Sequence, residues 1–112
     1  MKITNEVIDN VDVLRVAGRL DASAVRDHKD TLKNKAESVN NWLVLNMEGI
    51  DFIDSSGLGL VVSLVRHARE NSADIAITNL TPQAQTLFEL TRMTRIFNIY
   101  ENESVAVEAL KH

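Results

Sequence analysis

The stretch "DFIDSSGLGLVVS", residues 51–63, contains the strand-to-helix transition on which the fold of this chain depends. An apolar segment ends at Ile53, and small polar residues follow before a second apolar segment begins. Asp54, Ser55 and Ser56 are each able to cap a helix, because a side-chain oxygen at the cap accepts a hydrogen bond from a first-turn N–H group. We therefore expect a buried strand to end here and a helix to begin.

The two glycines in this stretch are not explained by a cap. Gly57 and Gly59 fall on either side of Leu58, in the expected first turns of the helix. A glycine there costs about 1 kcal/mol relative to alanine. Glycine at such a place indicates either close backbone approach between elements or access by a partner. The sequence leaves both explanations open.

Toward the N-terminus, the pattern predicts a β-hairpin and then a helix. Residues 3–8 and 11–16 favour β-strands, and the Asp-Asn pair between them is typical of a tight turn. Asp21 or Ser23 can cap the following helix. The apolar stripe of that helix, at spacings of three and four, consists of Val25, His28, Leu32 and Ala36.

The middle of the chain predicts two more strands around the helix that begins near Ser55. Residues 42–45 form a continuous apolar run, typical of a strand covered on both faces. Gly49 is expected to break this run, and residues 50–54 are expected to continue in an extended conformation to the serines. Residues 73–78 predict a short strand. The apolar surface of the intervening helix consists of Leu58, Leu60, Val61, Val62, Leu64, Val65 and Ala68.

Two further helices and a strand are predicted toward the C-terminus. Thr81 can cap a helix that has Pro82 at its first position, where the missing N–H has no consequence. Residues 95–100 predict a last strand, and Asn102 opens a final helix. In the first of these helices, Leu87, Phe88 and Leu90 are expected to face inward. The final helix contains the apolar residues Val105, Ala106, Ala109 and Leu110.

This alternation of strands and helices predicts a single α/β domain over residues 1–112. Consecutive parallel strands joined by helices form right-handed crossovers, so the sheet should be largely parallel. The hairpin at the start makes it mixed. We expect a mixed, mostly parallel β-sheet with alternating α-helices and an N-terminal β-hairpin.

Composition narrows the function classes. The chain has no cysteine, and no window approaches the roughly 18 apolar residues of a membrane span, so a cytoplasmic protein without direct membrane insertion is expected. Its net charge is −4, from 16 acidic and 12 basic residues. The cluster Arg66, His67 and Arg69 is best explained as a solvated helix face, so nucleic acid is not an expected partner.

A catalytic serine in this stretch would need a base. His67 lies about 16 Å along the helix from Ser56, His28 lies on an apolar stripe, and His112 is terminal. The hydrolase motif Gly-x-Ser-x-Gly is absent, and no histidine and carboxylate set has metal-ligand spacing. We therefore expect no enzymatic activity, no metal and no cofactor.

Three segments carry a resemblance to a known family. "DSSGLG" after an apolar strand, "GRLDAS" about thirty residues earlier and "TPQAQTLFELTRMTRIFNIYENESVAVEAL" at the end resemble the STAS domain of anti-sigma factor antagonists. The resemblance covers nearly the whole chain, and the hexapeptide is a strong motif in this position. The fold of that family agrees with the α/β domain predicted from the residue pattern.

The resemblance implies a role for each residue of the motif. Ser55, directly after the aspartate, corresponds to the serine that a partner kinase phosphorylates, with Asp54 as its acidic neighbour. Gly57 and Gly59 correspond to the residues that let a partner approach, and Asp21 to a position beside the phosphorylation site. The implied partner-binding residues are thus Asp21, Asp54, Ser56, Gly57, Leu58 and Gly59.

The same resemblance implies partner switching. The unphosphorylated protein would bind a serine-protein kinase that is also an anti-sigma factor, phosphorylation of Ser55 would end that binding, and a serine phosphatase would restore it. Two alternatives stay open: an adaptor in biofilm, secretion or motility signalling, and a STAS subunit of a membrane lipid transporter. The sequence names neither the kinase nor the target.

Overall fold

Strands and helices alternate along the chain after an initial pair of strands, as predicted. The structure, a computed structural model, describes residues 1–111, so His112 lies outside the described residues. The strands are β1 (Lys2–Ile8), β2 (Val11–Leu20), β3 (Trp42–Ile53), β4 (Asp74–Thr78) and β5 (Asn98–Tyr100). The helices are α1 (Ala22–Ser38), α2 (Ser55–Glu70), α3 (Pro82–Leu90) and α4 (Glu103–Leu110), with a 3-10 turn at Met93–Arg95.

Within the described residues, the strands form one five-stranded sheet in the order β1-β2-β3-β4-β5. The β1–β2 pair is antiparallel, and the other three pairs are parallel. The prediction of a mixed, mostly parallel sheet is therefore confirmed.

A two-residue turn joins β1 to β2. Ile8 pairs with Val11, which leaves Asp9 and Asn10 at the turn with φ angles of 50° and 66°. Two consecutive positive φ angles are typical of a type I′ turn, which matches the twist of a hairpin and is tolerated by Asp and Asn. The predicted hairpin is confirmed.

The strand before the serine motif does not break at Gly49. β3 continues to Ile53, and Gly49 pairs with Ala17 where the β2–β3 register shifts. A Cβ atom on Gly49 would lie 2.6 Å from the Cβ of Ala17, so glycine allows the two strands to approach closely. The predicted break at Gly49 is wrong, because the irregularity is a register shift between paired strands. The predicted extended conformation from Gly49 to the serines is confirmed.

Apolar layers cover both faces of the sheet. Successive residues of a strand point to opposite faces, so Leu43 joins one layer and Val44 the other. The larger layer contains buried residues of α1, α2 and α3, and the smaller layer is closed by α4. Helices α1 and α2 therefore lie on the same face and begin at the same edge of the sheet.

The region around the end of α3 differs from its prediction. Phe88 is fully buried, but Leu90 is 78% exposed, because two residues turn an α-helix by about 200°. The predicted inward orientation of Leu90 is wrong. The predicted strand 95–100 is shorter, because the N–H groups of Ile96 and Phe97 both donate to the carbonyl of Met93 at 3.0 Å and keep these residues in a turn before β5 begins at Asn98.

The last helix begins where predicted and buries only part of its apolar residues. The Asn102 side chain accepts a hydrogen bond from the N–H of Val105 at 2.9 Å. Ala106, Val107 and Leu110 are buried. Val105 is 47% exposed, and Ala109 is also exposed. Val105 and Ala109 are four residues apart and share the outer face.

Candidate functional site

The site is built where β2 and β3 end side by side. Leu20 and Ile53, the last residues of the two strands, are register partners. The N–H of Asp54 donates to the Leu20 carbonyl at 3.4 Å. Because parallel strands end at the same edge of a sheet, the helices that follow them begin next to each other.

Both helices begin with an aspartate in the same conformation. Asp21 caps α1 with φ −116° and ψ −172°, and Asp54 caps α2 with φ −113° and ψ −171°. The Asp21 side chain accepts from Ala24 N–H at 3.1 Å, and the Asp54 side chain accepts from Gly57 N–H at 3.0 Å. Of the cap candidates in the motif, Asp54 is therefore the cap, and the serines are left free of that role.

Ser55 and Ser56 are the first two residues of α2, and both are exposed. Within residues 1–111, neither serine side chain takes part in a protein hydrogen bond. The N–H groups at the start of a helix have no carbonyl partner within that helix. Because Ser55 is exposed and its side chain makes no hydrogen bond within the described residues, its hydroxyl lies at the surface, beside the half-buried carboxylate of Asp54.

The two glycines of the motif have different surroundings. Gly57 is buried, and a Cβ atom there would collide with the carbonyl oxygen of Leu20 and lie 2.9 Å from Ile53 Cγ1. Gly59 is exposed, and a Cβ atom there would meet nothing within 4 Å. Gly57 is thus explained by close approach between elements, whereas nothing within the described chain requires a glycine at position 59.

The predicted partner-binding residues do not all lie at the surface. Gly57 and Leu58 are buried on the side of α2 that faces the sheet. Close packing against Leu20 accounts for the glycine at position 57, and its role in partner binding stays a prediction. Ser56 and Gly59 are exposed on the outer side of the helix start, and Asp21 is half-buried next to it.

Arg19 and Phe52 flank the two caps. The Arg19 guanidinium lies 4.3 Å from the centre of the Phe52 ring, and its Nε lies 3.4 Å from an Asp21 carboxylate oxygen. The hydrogen bond from Ala24 N–H, assisted by Arg19, holds the pKa of Asp21 below its usual value. Asp21 is therefore an anion near neutral pH, and its charge is paired with the Arg19 guanidinium.

Sequence reasoning missed Gln83. Its side-chain Oε1 accepts from the N–H of Ile53 at 2.9 Å, and its Nε2 donates to the Ile53 carbonyl at 2.8 Å. Gln83 belongs to α3 and lies 30 residues away along the chain. No local pattern signals such a contact, because it depends on how α3 returns to the sheet.

Within the described residues, neither His28 nor His67 is hydrogen-bonded to Ser55. His67 Nδ1 lies 3.3 Å from a carboxylate oxygen of Glu37, and His28 is half-buried in α1. In the part of the chain that the structure covers, no group of three or more histidine and carboxylate side chains is arranged to hold a metal ion. Over the same residues, no helix is both long and apolar enough to span a bilayer.

The amino-acid sequence identifies the family. The family model of the STAS domain matches residues 2–106, so this chain belongs to the STAS domain family. An anti-sigma-B factor antagonist of Staphylococcus aureus is 24% identical over 105 residues, which are 94% of this chain and 97% of that protein. The predicted family is confirmed.

Solved structures agree with the fold. An anti-sigma factor antagonist from Mycobacterium paratuberculosis superimposes with a TM-score of 0.87 at 18% identity, over 99% of this chain and 94% of that one. The Bacillus protein SpoIIAA in its phosphorylated form gives a TM-score of 0.74 at 22% identity, over 97% of this chain and 99% of that one. At these identities the comparisons show that the fold is shared.

Proposed function

We propose that this protein is an anti-sigma factor antagonist controlled by phosphorylation of Ser55. In its unphosphorylated form it binds a serine-protein kinase that is also an anti-sigma factor, and so frees the target of that factor. Phosphorylation of Ser55 ends the binding, and a serine phosphatase restores it. The protein acts in the cytoplasm as a binding partner and a kinase substrate, not as an enzyme.

The observation that carries the proposal is the placement of Ser55. Its side chain is exposed at the first position of α2, while Asp54 already supplies the cap. A serine that is not needed to cap its helix is free to react. A kinase can reach its hydroxyl without local unfolding, because the residue lies at the surface.

The protein itself should tolerate the phosphate. A phosphoserine carries about −1.5 to −2 charges at neutral pH. At the N-terminus of a helix, negative charge is favoured by roughly 0.3 to 1 kcal/mol. The nearby carboxylate of Asp54 opposes part of this gain. We expect little change in the fold.

A partner docked at this edge experiences the larger effect. Burying an unpaired dianion against a surface complementary to a neutral hydroxyl costs several kcal/mol, and Asp54 already makes the edge negative. Since about 1.4 kcal/mol is a tenfold change in affinity, a loss of a hundredfold or more is expected. Binding therefore responds to phosphorylation while folding does not.

The decisive experiment examines the protein from its own cells. Intact-mass and peptide mass spectrometry should find one phosphate on Ser55, and a kinase that hydrolyses ATP should copurify with the unmodified form. With that purified kinase, the Ser55→Ala variant should bind with wild-type affinity and resist release by ATP. The Ser55→Asp variant should bind about a hundredfold more weakly.

Ser56→Ala is the matched control, because Ser56 is the exposed neighbour on the same helix turn. It should retain both phosphorylation and release. If Ser55→Ala and Ser55→Asp both bind and release the kinase as the wild type does, the proposal is wrong. Copurification with a permease and its ATPase in place of a kinase would favour the transporter subunit instead.

A further inference from the structure

The end of β3 is held from two sides at the residues that precede the phosphorylation site. On one side, Asp54 N–H donates to the carbonyl of Leu20 in β2 at 3.4 Å. On the other side, both peptide groups of Ile53 are hydrogen-bonded by the Gln83 side chain, at 2.9 and 2.8 Å. Because the two hydrogen bonds between Gln83 and Ile53 are shorter than the bond between Asp54 and Leu20, Gln83 forms the stronger of these two contacts.

The Gln83 side chain forms the hydrogen bonds that a neighbouring strand would otherwise form with the end of β3. The β3–β4 pairing ends at Asn46 and Thr78, and β3 continues for seven residues beyond it, to Ile53. On the β4 side, the N–H and carbonyl of Ile53 therefore have no neighbouring strand. A primary amide carries the same donor and acceptor as a peptide, so Gln83 completes the ladder.

The position of Gln83 is itself well defined. It is the second residue of α3, directly after Pro82, and the Thr81 side chain caps the helix. The next residue, Ala84, is fully buried in the core. An amide mounted on a capped and packed helix start can hold the strand end in one position.

We infer that Gln83 is a positioning residue for phosphorylation of Ser55. By holding the Ile53 peptide, it fixes the direction in which the chain leaves β3, and therefore where α2 presents the Ser55 hydroxyl to the modifying enzyme. Gln83 need not touch the kinase to do this. The inference rests on the proposed function, because it assigns a residue that serves the same site.

Amide hydrogen exchange measures how firmly Gln83 holds Ile53, and the measurement needs no kinase. In Gln83→Ala, exchange at Ile53 and Gly57 should accelerate about tenfold or more, since two hydrogen bonds are lost. Exchange at Val44, which is fully buried in the same strand, reports global opening and corrects for any loss of overall stability. The control is Gln85→Ala in the same helix, whose side chain makes no hydrogen bond within the described residues.

A second variant tests the hydrogen bond that Gln83 donates. In Gln83→Glu the ionised carboxylate cannot donate to the Ile53 carbonyl and repels its oxygen, so the contact with Ile53 N–H is weakened as well. The protonated form can donate again. After correction for intrinsic rates, protection of Ile53 should therefore increase as the pH falls through the pKa of the introduced carboxyl, whereas Gln83→Ala shows no such increase.

The kinase that phosphorylates wild-type Ser55 supplies the functional measurement. The kcat/KM for Gln83→Ala should be about tenfold lower than for Gln85→Ala, at similar thermal stability. Equal kcat/KM for these variants, or unchanged exchange at Ile53 and Gly57, overturns the inference. If no kinase from the same cells modifies wild-type Ser55, the proposed function fails, and hydrogen exchange alone still shows whether Gln83 holds the end of β3.

Discussion

The carbonyl oxygen of Leu20 lies directly against Gly57, and this contact leaves no room for a side chain at the start of α2. A methyl group there would also lie 2.8 Å from Leu20 Cγ. We expect Gly57→Ala to lower the free energy of unfolding by about 1–3 kcal/mol, because the helix start would have to move away from β2. Urea denaturation measures this difference.

Gly59→Ala is the matched control in the same helix. A Cβ atom at Gly59 meets nothing within 4 Å, so alanine should stabilise the helix, by up to about 1 kcal/mol. If both variants unfold at the same urea concentration, the Leu20 contact does not determine the glycine at position 57. If Gly59→Ala also weakens kinase binding, position 59 serves the partner surface.

The capping role of Asp54 should be separable from its charge. Asp54→Ala removes the acceptor for Gly57 N–H and should destabilise the protein by about 1 kcal/mol. Asp54→Asn keeps an acceptor and should be nearly neutral for stability. Thermal unfolding followed by circular dichroism compares the two variants, and equal losses would contradict the capping role.

Glu103 should make stability depend on pH in the acid range. Hydrogen bonds from Arg15, at 2.6 and 2.9 Å, and from Asn46, at 2.7 Å, lower the pKa of Glu103 below its unfolded value of 4.5. The folded state therefore binds fewer protons than the unfolded state. The stabilisation is complete above pH 4.5 and is lost as the pH falls through the lower folded pKa.

Denaturation midpoints at several pH values test this expectation. Glu103→Gln should remove most of the extra loss of stability below pH 4.5. Glu6→Gln is the control, since Glu6 is an exposed partner of the same Arg15 and exposed pairs contribute little. An acid dependence that is unchanged in Glu103→Gln would contradict the assignment.

The opposite orientations of Phe88 and Leu90 give a direct test of the α3 surface. Phe88→Ala should lower the free energy of unfolding by about 3–5 kcal/mol, because the ring is fully buried and its centre lies 5.4 Å from the centre of the Phe97 ring. Leu90→Ser should change it by less than about 0.5 kcal/mol. A large loss for Leu90→Ser in the monomer would show that Leu90 packs inward.

Some features of the site were predictable because they depend on neighbouring residues. The cap at Asp54 involves an N–H three residues away, and the Asp9-Asn10 turn depends on two backbone conformations. The burial of α2 follows from the spacing of its apolar residues. Even here the sequence did not select among Asp54, Ser55 and Ser56 as the cap.

Other features could not be predicted because they join distant parts of the chain. Gln83 and Ile53 are 30 residues apart, and Arg15 and Glu103 are 88 residues apart. Leu90 lies in an apolar pattern that suggests burial, but the geometry of a nine-residue helix directs it outward. The sequence alone predicts a break at Gly49, and only the pairing of Gly49 with Ala17 of β2 shows that the strand continues.

By itself, the sequence determined the order of strands and helices, the hairpin, and the motif that contains Ser55, since these follow from local conformational preference and periodicity. Only the tertiary structure decided which of the small residues caps the helix, why Gly57 has no side chain, and how Gln83 holds the strand end. The physical reason is that such contacts form between segments brought together by the burial of apolar surface on the sheet, and a linear pattern does not encode which polar groups then meet.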